Sequence, residues 1–358
     1  MKKLLNIFHF SYLLNLAWIF LISSCIDRLD FIGDTKEGQI IIYGLLSAGE
    51  NIHTVNVGLS RSSGFTQSAI PNAEVNLLGQ EGGTFRYTSL GNGNYELHNF
   101  DPIKGQSYSL EVMVGEKVYR STFQEIPNSN GVDSLSYDVA YEPFTTTFRE
   151  HVFKVYTKTR LPQNNEPVYL RWIVEETAYW ELVWIYAPGI PPPLPPPCFI
   201  FDIMEPAKVN IFDGSSSKTQ TFDQLLATRI IDNSFLFPMF ISVKQLSINR
   251  DAYEYWEKIK TVIENQGSLF DIPPAPIIGN IKNTNDPNEK VLGFFEVAKS
   301  QVTRFYVTSE ISPVYLHPPC LFVLGKPRLD YPAECLTCED RALGKKFVTI
   351  RPDWWVYD

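Results

Sequence analysis

Between residues 39 and 126 apolar and polar positions alternate in short runs, each closed by a turn rich in Gly, Asn or Ser. Residues 39–46 and 53–59 are β-rich and flank Ser47-Ala48-Gly49-Glu50-Asn51. Residues 73–77 alternate, and Gly82-Gly83 turns them into 85–88. Gly91-Asn92-Gly93-Asn94 leads into 95–97, and Gly115-Glu116 joins 107–114 to 117–123 as a hairpin signal. A period of two buries one face of each strand, so about seven strands at this spacing predict a β-sandwich over 38–127.

Residues 127–132 are polar and turn-forming, a boundary. Residues 152–157 then alternate and 168–176 follow after a loop, predicting an antiparallel pair within a second sandwich over 131–319. Residues 291–297 and 302–310 read as two further strands that close its sheet. One stretch breaks the period: Ala252, Tyr255, Trp256, Ile259, Val262 and Ile263 recur at helical spacing, predicting an inserted amphipathic helix at about 249–264 that packs on its own sandwich. The prolines of 191–197 impose an extended polyproline II spacer leading to Cys198. Residues 320–358 form a Cys-rich tail with little periodicity, which needs disulfides for order. The expected class is mainly β: two sandwiches of immunoglobulin-like or transthyretin-like build.

Composition narrows the function classes. At 44% hydrophobic and 20% charged residues the chain is globular rather than disordered, and a net charge of −9 argues against a nucleic-acid partner. Met1-Lys2-Lys3 followed by a mostly apolar run to Ile22 and then Ser23-Ser24-Cys25 describes a secretory signal over 1–24. The small pair before cysteine resembles a bacterial lipobox. That resemblance implies cleavage before Cys25, acylation of its thiol and anchoring in a lipid bilayer, with 25–37 as tether. Ile26 replaces the aspartate of the simplest inner-membrane retention signal, and Asp27 and Asp30 resemble the surface-export signals of Bacteroidota lipoproteins. The implied address is the outer membrane, at the cell surface.

With Cys25 acylated, Cys198, Cys320, Cys335 and Cys338 remain. An even number in an exported chain predicts two disulfides, in any of three connectivities. Cys335-Leu336-Thr337-Cys338 also has the spacing of a zinc knuckle or a redox pair, but no second pair of that spacing exists to complete a four-cysteine site.

Two resemblances add to this reading. Ile70-Pro71-Asn72-Ala73-Glu74-Val75, Gly93-Asn94-Tyr95 and residues 105–112 are similar to a carboxypeptidase-regulatory sandwich, which implies a scaffold rather than a reaction. Tyr253-Glu254-Tyr255-Trp256, Gly267-Ser268-Leu269-Phe270-Asp271, Pro273-Pro274-Ala275-Pro276, Asn285-Asp286-Pro287-Asn288-Glu289 and Val291-Leu292-Gly293-Phe294-Phe295 resemble the core of a Bacteroidota lipoprotein family, domain of unknown function 4249. Cys335, Cys338, Gly344 and 352–355 match its ending in outline. The resemblance implies an outer-membrane accessory role, often beside TonB-dependent receptors, and carries no catalytic residues.

No zinc-protease, nucleophile-elbow, Walker, dinucleotide or EF-hand motif is present, and His53, His98, His151 and His317 are not at helical metal spacing. No enzyme activity, cofactor or metal is expected. Glu175-Glu176 falls on opposite faces of a strand, a solvated edge rather than an acid–base pair, and residues 285–289 read as a polar turn rather than a calcium loop. Candidate contact residues are aromatic: Tyr179, Trp180, Trp184 and Tyr186 beside the polyproline run, and Trp354 and Trp355 near the terminus. Exposed rings there would stack on a glycan or anchor a peptide or protein partner. An undetected hydrolase is the remaining alternative, since a triad is a spatial arrangement.

Overall fold

The first alternating run folds as a hairpin of β1 (Ile40–Ala48) and β2 (Ile52–Leu59), with Ile40, Ile42 and Leu46 buried on one face. The computed structural model describes residues 38–60, 68–127, 132–143, 148–162, 167–184, 196–215, 221–265, 276–318, 320–323 and 325–356. The predicted signal, Cys25, the tether, Tyr186 and residues 185–195 of the polyproline approach lie outside them, as do 266–275. In chain order there follow β3 (Ser68–Ala69), β4 (Glu74–Gly79), β5 (Thr84–Arg86), β6 (Thr88–Gly91), β7 (Asn94–His98), β8 (Ser107–Val114), β9 (Lys117–Ser121) and β10 (Gln124–Glu125). Beyond Pro127 come β11 (Val132–Pro143), β12 (Arg149–Arg160), β13 (Tyr169–Trp180), β14 (Val183–Trp184), β15 (Cys198–Ile203), β16 (Asn210–Asp213), β17 (Thr221–Ile230) and β18 (Met239–Ile248). Helix α1 (Arg250–Glu264) precedes β19 (Ile281–Asn283), β20 (Phe295–Val307) and β21 (Leu321–Phe322), and α2 (Cys338–Ala342) precedes β22 (Lys346–Val348).

The chain is mainly β, and its two sandwiches share one sheet. That sheet runs β22-β15-β13-β18-β20-β1-β2-β7-β6, with β16 also on β13 and β3 on β2. On one face β4, β8 and β9 cover β1, β2 and β7, burying Val75, Leu77, Leu110 and Val112 against Ile42, Val55, Val57 and Tyr95. On the same face the sheet β11-β12-β17 covers β13 and β18, burying Phe153, Val155 and Leu226 against Leu170, Trp172, Val174 and Ile241. The other face carries α1 at one end and the C-terminal tail at the other.

Two features join the regions on either side of Pro127. β20 lies parallel to β1, from Gly44↔Phe295 to Ala48↔Lys299, and β19 pairs with β9. Segments far along the chain therefore complete the first sandwich. The approach is close at Gly293, whose φ is +97° and where a Cβ would lie 1.9 Å from the Ile42 carbonyl oxygen, so only glycine fits. The expected pair of strands at 291–297 and 302–310 is instead the single strand β20. Lys299, Ser300 and Gln301, between the two expected strands, sit in the ladder opposite Ser247, Leu246 and Gln245 of β18.

Helix α1 forms where its period predicts. The Asn249 side chain accepts from the Ala252 N–H at 2.8 Å and caps it, and Ala252 and Tyr255 are buried on Leu246, Ile248 and Ala298.

Candidate functional site

The tail is held by two disulfides, Cys198–Cys338 and Cys320–Cys335, spanning 140 and 15 residues. The Cys335-x-x-Cys338 spacing is thus neither a redox pair nor a zinc knuckle: its two thiols bond to different partners. Among the described residues no group of His, Cys, Asp and Glu could hold a metal ion. The cysteines gather with Trp180, Leu182, Ile200 and Tyr331 on the face of β13 and β15 turned towards the smaller sheets. From there the chain crosses the sheet edge as β22, antiparallel to β15 in the register Phe199↔Val348, Ile200↔Phe347 and Phe201↔Lys346. Alternation along β22 puts Phe347 on the disulfide side and Lys346 and Val348 on the other. The chain then lands on the opposite face, where Trp355 packs edge-on against Phe199 and Phe240.

This path takes two of the six aromatic candidates, Trp180 and Trp355, out of reach of a ligand. Trp180 is 1% and Trp355 4% exposed, because one closes the disulfide cluster and the other seals the sheet under the returning tail. Tyr179 is half-buried between Phe199 and Trp355, and its hydroxyl donates to Glu181 at 2.7 Å. Trp354 is half-buried against Phe240, with the Arg304 guanidinium 4.5 Å from its ring. Burial lowers the Arg304 pKa, opposed by Glu175. The backbone of β14, which includes Trp184, pairs in parallel with β21; the Trp184 ring and Tyr186 fall outside the described side chains.

Between α1 and the tail the same face stays open. One depression of about 560 Å³ lies between Phe201 and residues 346–353. A second of about 450 Å³ is lined by Glu175, Phe201, Asp202, Ile203, Pro206, Lys345 and Lys346, sharing Phe201 and Lys346 with the first. A third of about 440 Å³ shares Pro206 and reaches Lys260 and Ile263 of α1. These three shallow depressions adjoin through shared lining residues and make up an interrupted trough. The Lys345 ammonium meets Asp202 at 2.6 Å at the sheet edge, and Asp202 stands cross-strand from Glu176. Sequence reasoning missed these residues. The available signal was the run 341–352, which holds Arg341, Lys345, Lys346 and Arg351 and no acid.

The buried charges are structural. Arg171 and Glu296 pair at 3.0 Å across the sheet, the carboxylate also accepting from Trp256 Nε1 at 2.8 Å, and the guanidinium lies 4.3 Å from the Trp256 ring. Burial works against the Arg171 charge, but Glu296 and Tyr43 outweigh it and raise its pKa, while burial raises that of Tyr43. Glu175 and Glu176 do take opposite faces, but Glu176 is no solvated edge. It is buried beside Arg229, and burial raises its pKa against the pull of that guanidinium. His53 accepts from the Ser47 N–H and its Nε2 lies 2.7 Å from the Phe100 carbonyl; burial lowers its pKa. In the turn 285–289, Glu289 takes bonds from Lys117 and Tyr119, which clamp the turn onto β9, and from Asn283 of β19.

Among solved structures the chain is similar to trypsin-activated alpha-2-macroglobulin from Escherichia coli. The identity is 12%, over 60% of this chain and 15% of that one, and the TM-score of 0.19 carries no argument. The search of curated proteins returns no match. The family model described as Domain of unknown function (DUF4249) matches residues 26–304. With that match covering most of its length, including the β1–β20 and β9–β19 pairings, the chain belongs to the DUF4249 family.

Proposed function

We propose that this protein is a non-enzymatic lipoprotein of the outer membrane, anchored through Cys25, that serves as a binding or accessory subunit for a TonB-dependent transporter. The observation that carries the binding role is the open trough with its stapled wall. A mixed-charge channel between a helix and a covalently fixed tail suits protein or peptide contact, since preorganised walls lose little freedom on binding. Two disulfides accord with an oxidising compartment, and the lipobox supplies the anchor. Among the described residues no helix is long and apolar enough to cross a membrane.

Labelled palmitate should enter the wild type and be absent from Cys25→Ala; labelling that persists removes the anchor. Detergent co-purification should recover a β-barrel transporter, and a strictly monomeric protein would remove the accessory role. Among the described side chains the glycan reading keeps two half-buried rings, Tyr179 and Trp354, since Trp180 and Trp355 are core. Glycan-array binding that Trp354→Ala abolishes would restore it.

A further inference from the structure

We infer that this chain is a substrate of a thiol–disulfide isomerase, whose thiolate converts mispaired bonds into Cys198–Cys338 and Cys320–Cys335. The inference rests on the exported address proposed above and is independent of the binding role. The connectivity is nested: the bond spanning 15 residues lies wholly inside the one spanning 140. An exported chain enters an oxidising compartment from its N-terminus, so its thiols become available in chain order. Pairing in that order gives Cys198–Cys320 and then Cys335–Cys338, and neither bond is native.

Chain statistics do not select the native bonds either. Cys335 and Cys338 lie 15 and 18 residues beyond Cys320. Closure probability falls as roughly the 3/2 power of loop length, so these two short loops differ by only about 1.3-fold, and the native long loop is disfavoured about 30-fold. Folded structure makes the choice. Cys338 opens α2 and meets Cys198 at the start of β15, on the path that β22 fixes by pairing with β15. β22 follows all four cysteines in the chain, so this guidance arrives after every thiol is exposed. The repair is redox-neutral. The isomerase thiolate attacks Cys320 Sγ of a Cys198–Cys320 bond, forming a mixed disulfide and releasing the Cys198 thiolate. That thiolate attacks Cys338 Sγ, which breaks Cys335–Cys338 and closes the long loop. The freed Cys335 thiolate attacks Cys320 Sγ, closes the short loop and returns the isomerase thiolate, so two bonds enter and two leave. Exchange stops at the native pairs, because all four cysteines are buried and a thiolate must reach sulfur to attack it.

The test uses full-length Cys25→Ala protein, reduced in urea, diluted and oxidised with diamide, which forms disulfides without supplying a thiol for exchange. Pairing is read by mass spectrometry of non-reduced peptides cut at Leu336, between Cys335 and Cys338. Diamide alone should leave native pairs in less than about half of the molecules, as loops of nearly equal closure probability require. A purified dithiol isomerase should then convert the remainder to native pairs, at least about tenfold faster than the same enzyme with its thiols alkylated. Cys320→Ala with Cys335→Ala leaves one possible bond, which should close without dependence on the isomerase. Quantitative native pairing with diamide alone overturns the inference, as does mispaired protein that the isomerase leaves unchanged. Either result leaves the anchor and the accessory role standing, whereas absent palmitate labelling of the wild type removes the anchor and leaves the pairing result as it is.

Discussion

One face of the shared sheet is covered at its two ends by different devices. At the helix-covered end, α1 satisfies most of its backbone internally and needs only side chains to hold it: Ala252 and Tyr255 in the apolar layer and Trp256 bonded to Glu296. At the tail-covered end the chain has little repeating structure, and Trp354 and Trp355 rest on Phe199, Phe240 and Tyr306 only after the tail has rounded the sheet edge. Ordering an irregular segment costs about 1–2 kcal/mol per residue in backbone entropy, more than this small layer returns. The two covalent closures offset that by constraining the unfolded chain. A regular element can be docked; an irregular one must be tied.

The largest expected effect breaks the tie. Replacing Cys198 and Cys338 by alanine opens the longer loop, and the chain-entropy account puts the loss at about 4–5 kcal/mol, against about 3 kcal/mol for Cys320→Ala with Cys335→Ala. Urea unfolding measures both. Amide exchange should rise in 320–356 while α1 stays protected; equal loosening of α1 would mean that the two ends are not independent.

The matching experiment at the helix end removes Glu296, which is fully buried. Glu296→Ala strands the Arg171 charge and should cost about 3–5 kcal/mol. Arg171→Met with Glu296→Leu removes both charges and should cost less than Glu296→Ala alone, because no uncompensated ion remains. A double variant worse than the single would show that the pair contributes net stability beyond mutual neutralisation.

Acid gives a smaller contrast. His53 lies beneath the turn that carries Glu50, the partner of Lys244, and its folded pKa is below the ordinary 6.5. The folded state then binds fewer protons than the unfolded one, so stability rises with pH. The contribution is whole above 6.5 and is lost as pH falls from there towards the folded value. Melting temperature against pH should show a fall below that point which His53→Gln flattens. The tail-covered end buries no histidine among the described residues, so the disulfide variants should keep the slope.

How far each end was legible follows from the range of its contacts. The period of Ala252, Tyr255 and Trp256 announces α1, since helix contacts repeat within a few residues. The β alternation likewise gave the strands of the sandwiches, but not every pairing: 152–157 and 168–176, expected as an antiparallel pair, are β12 and β13, which belong to different sheets and pack face to face. The join between them did not show: β1 meets β20 some 250 residues away in the chain, and nothing local in Gly44 or Phe295 encodes the pairing. A separation of 125 residues likewise hid the Arg171–Glu296 pair. At the tail, four cysteines predicted two bonds, but the choice among pairings is spatial. Whether Trp180 and Trp355 are exposed or core was not legible, because the path that buries them is set by the disulfides and by the pairing of β22 with β15. The trough was missed because Phe201 and Lys346 become neighbours only when β22 pairs with β15.

The smallest prediction isolates what the covalent tie does for local structure. Both helices have side-chain caps: Asn249 accepts from the Ala252 N–H and Thr337 from the Asp340 N–H at 3.0 Å. Asn249→Ala removes the α1 cap together with a bond to Gln124 of β10, and should cost about 1 kcal/mol or somewhat more. Thr337→Ala removes an equivalent cap, but α2 begins at Cys338 and is pinned there by its disulfide to Cys198. Its cost should fall below about 0.5 kcal/mol with the disulfide intact, and approach the Asn249→Ala value once Cys198 and Cys338 are replaced. Denaturant titration of the wild type, Thr337→Ala, the Cys198/Cys338 replacement and their combination forms the cycle. A Thr337→Ala effect independent of the disulfide would mean that α2 is held by its cap after all, and that the tail is docked like the helix rather than tied.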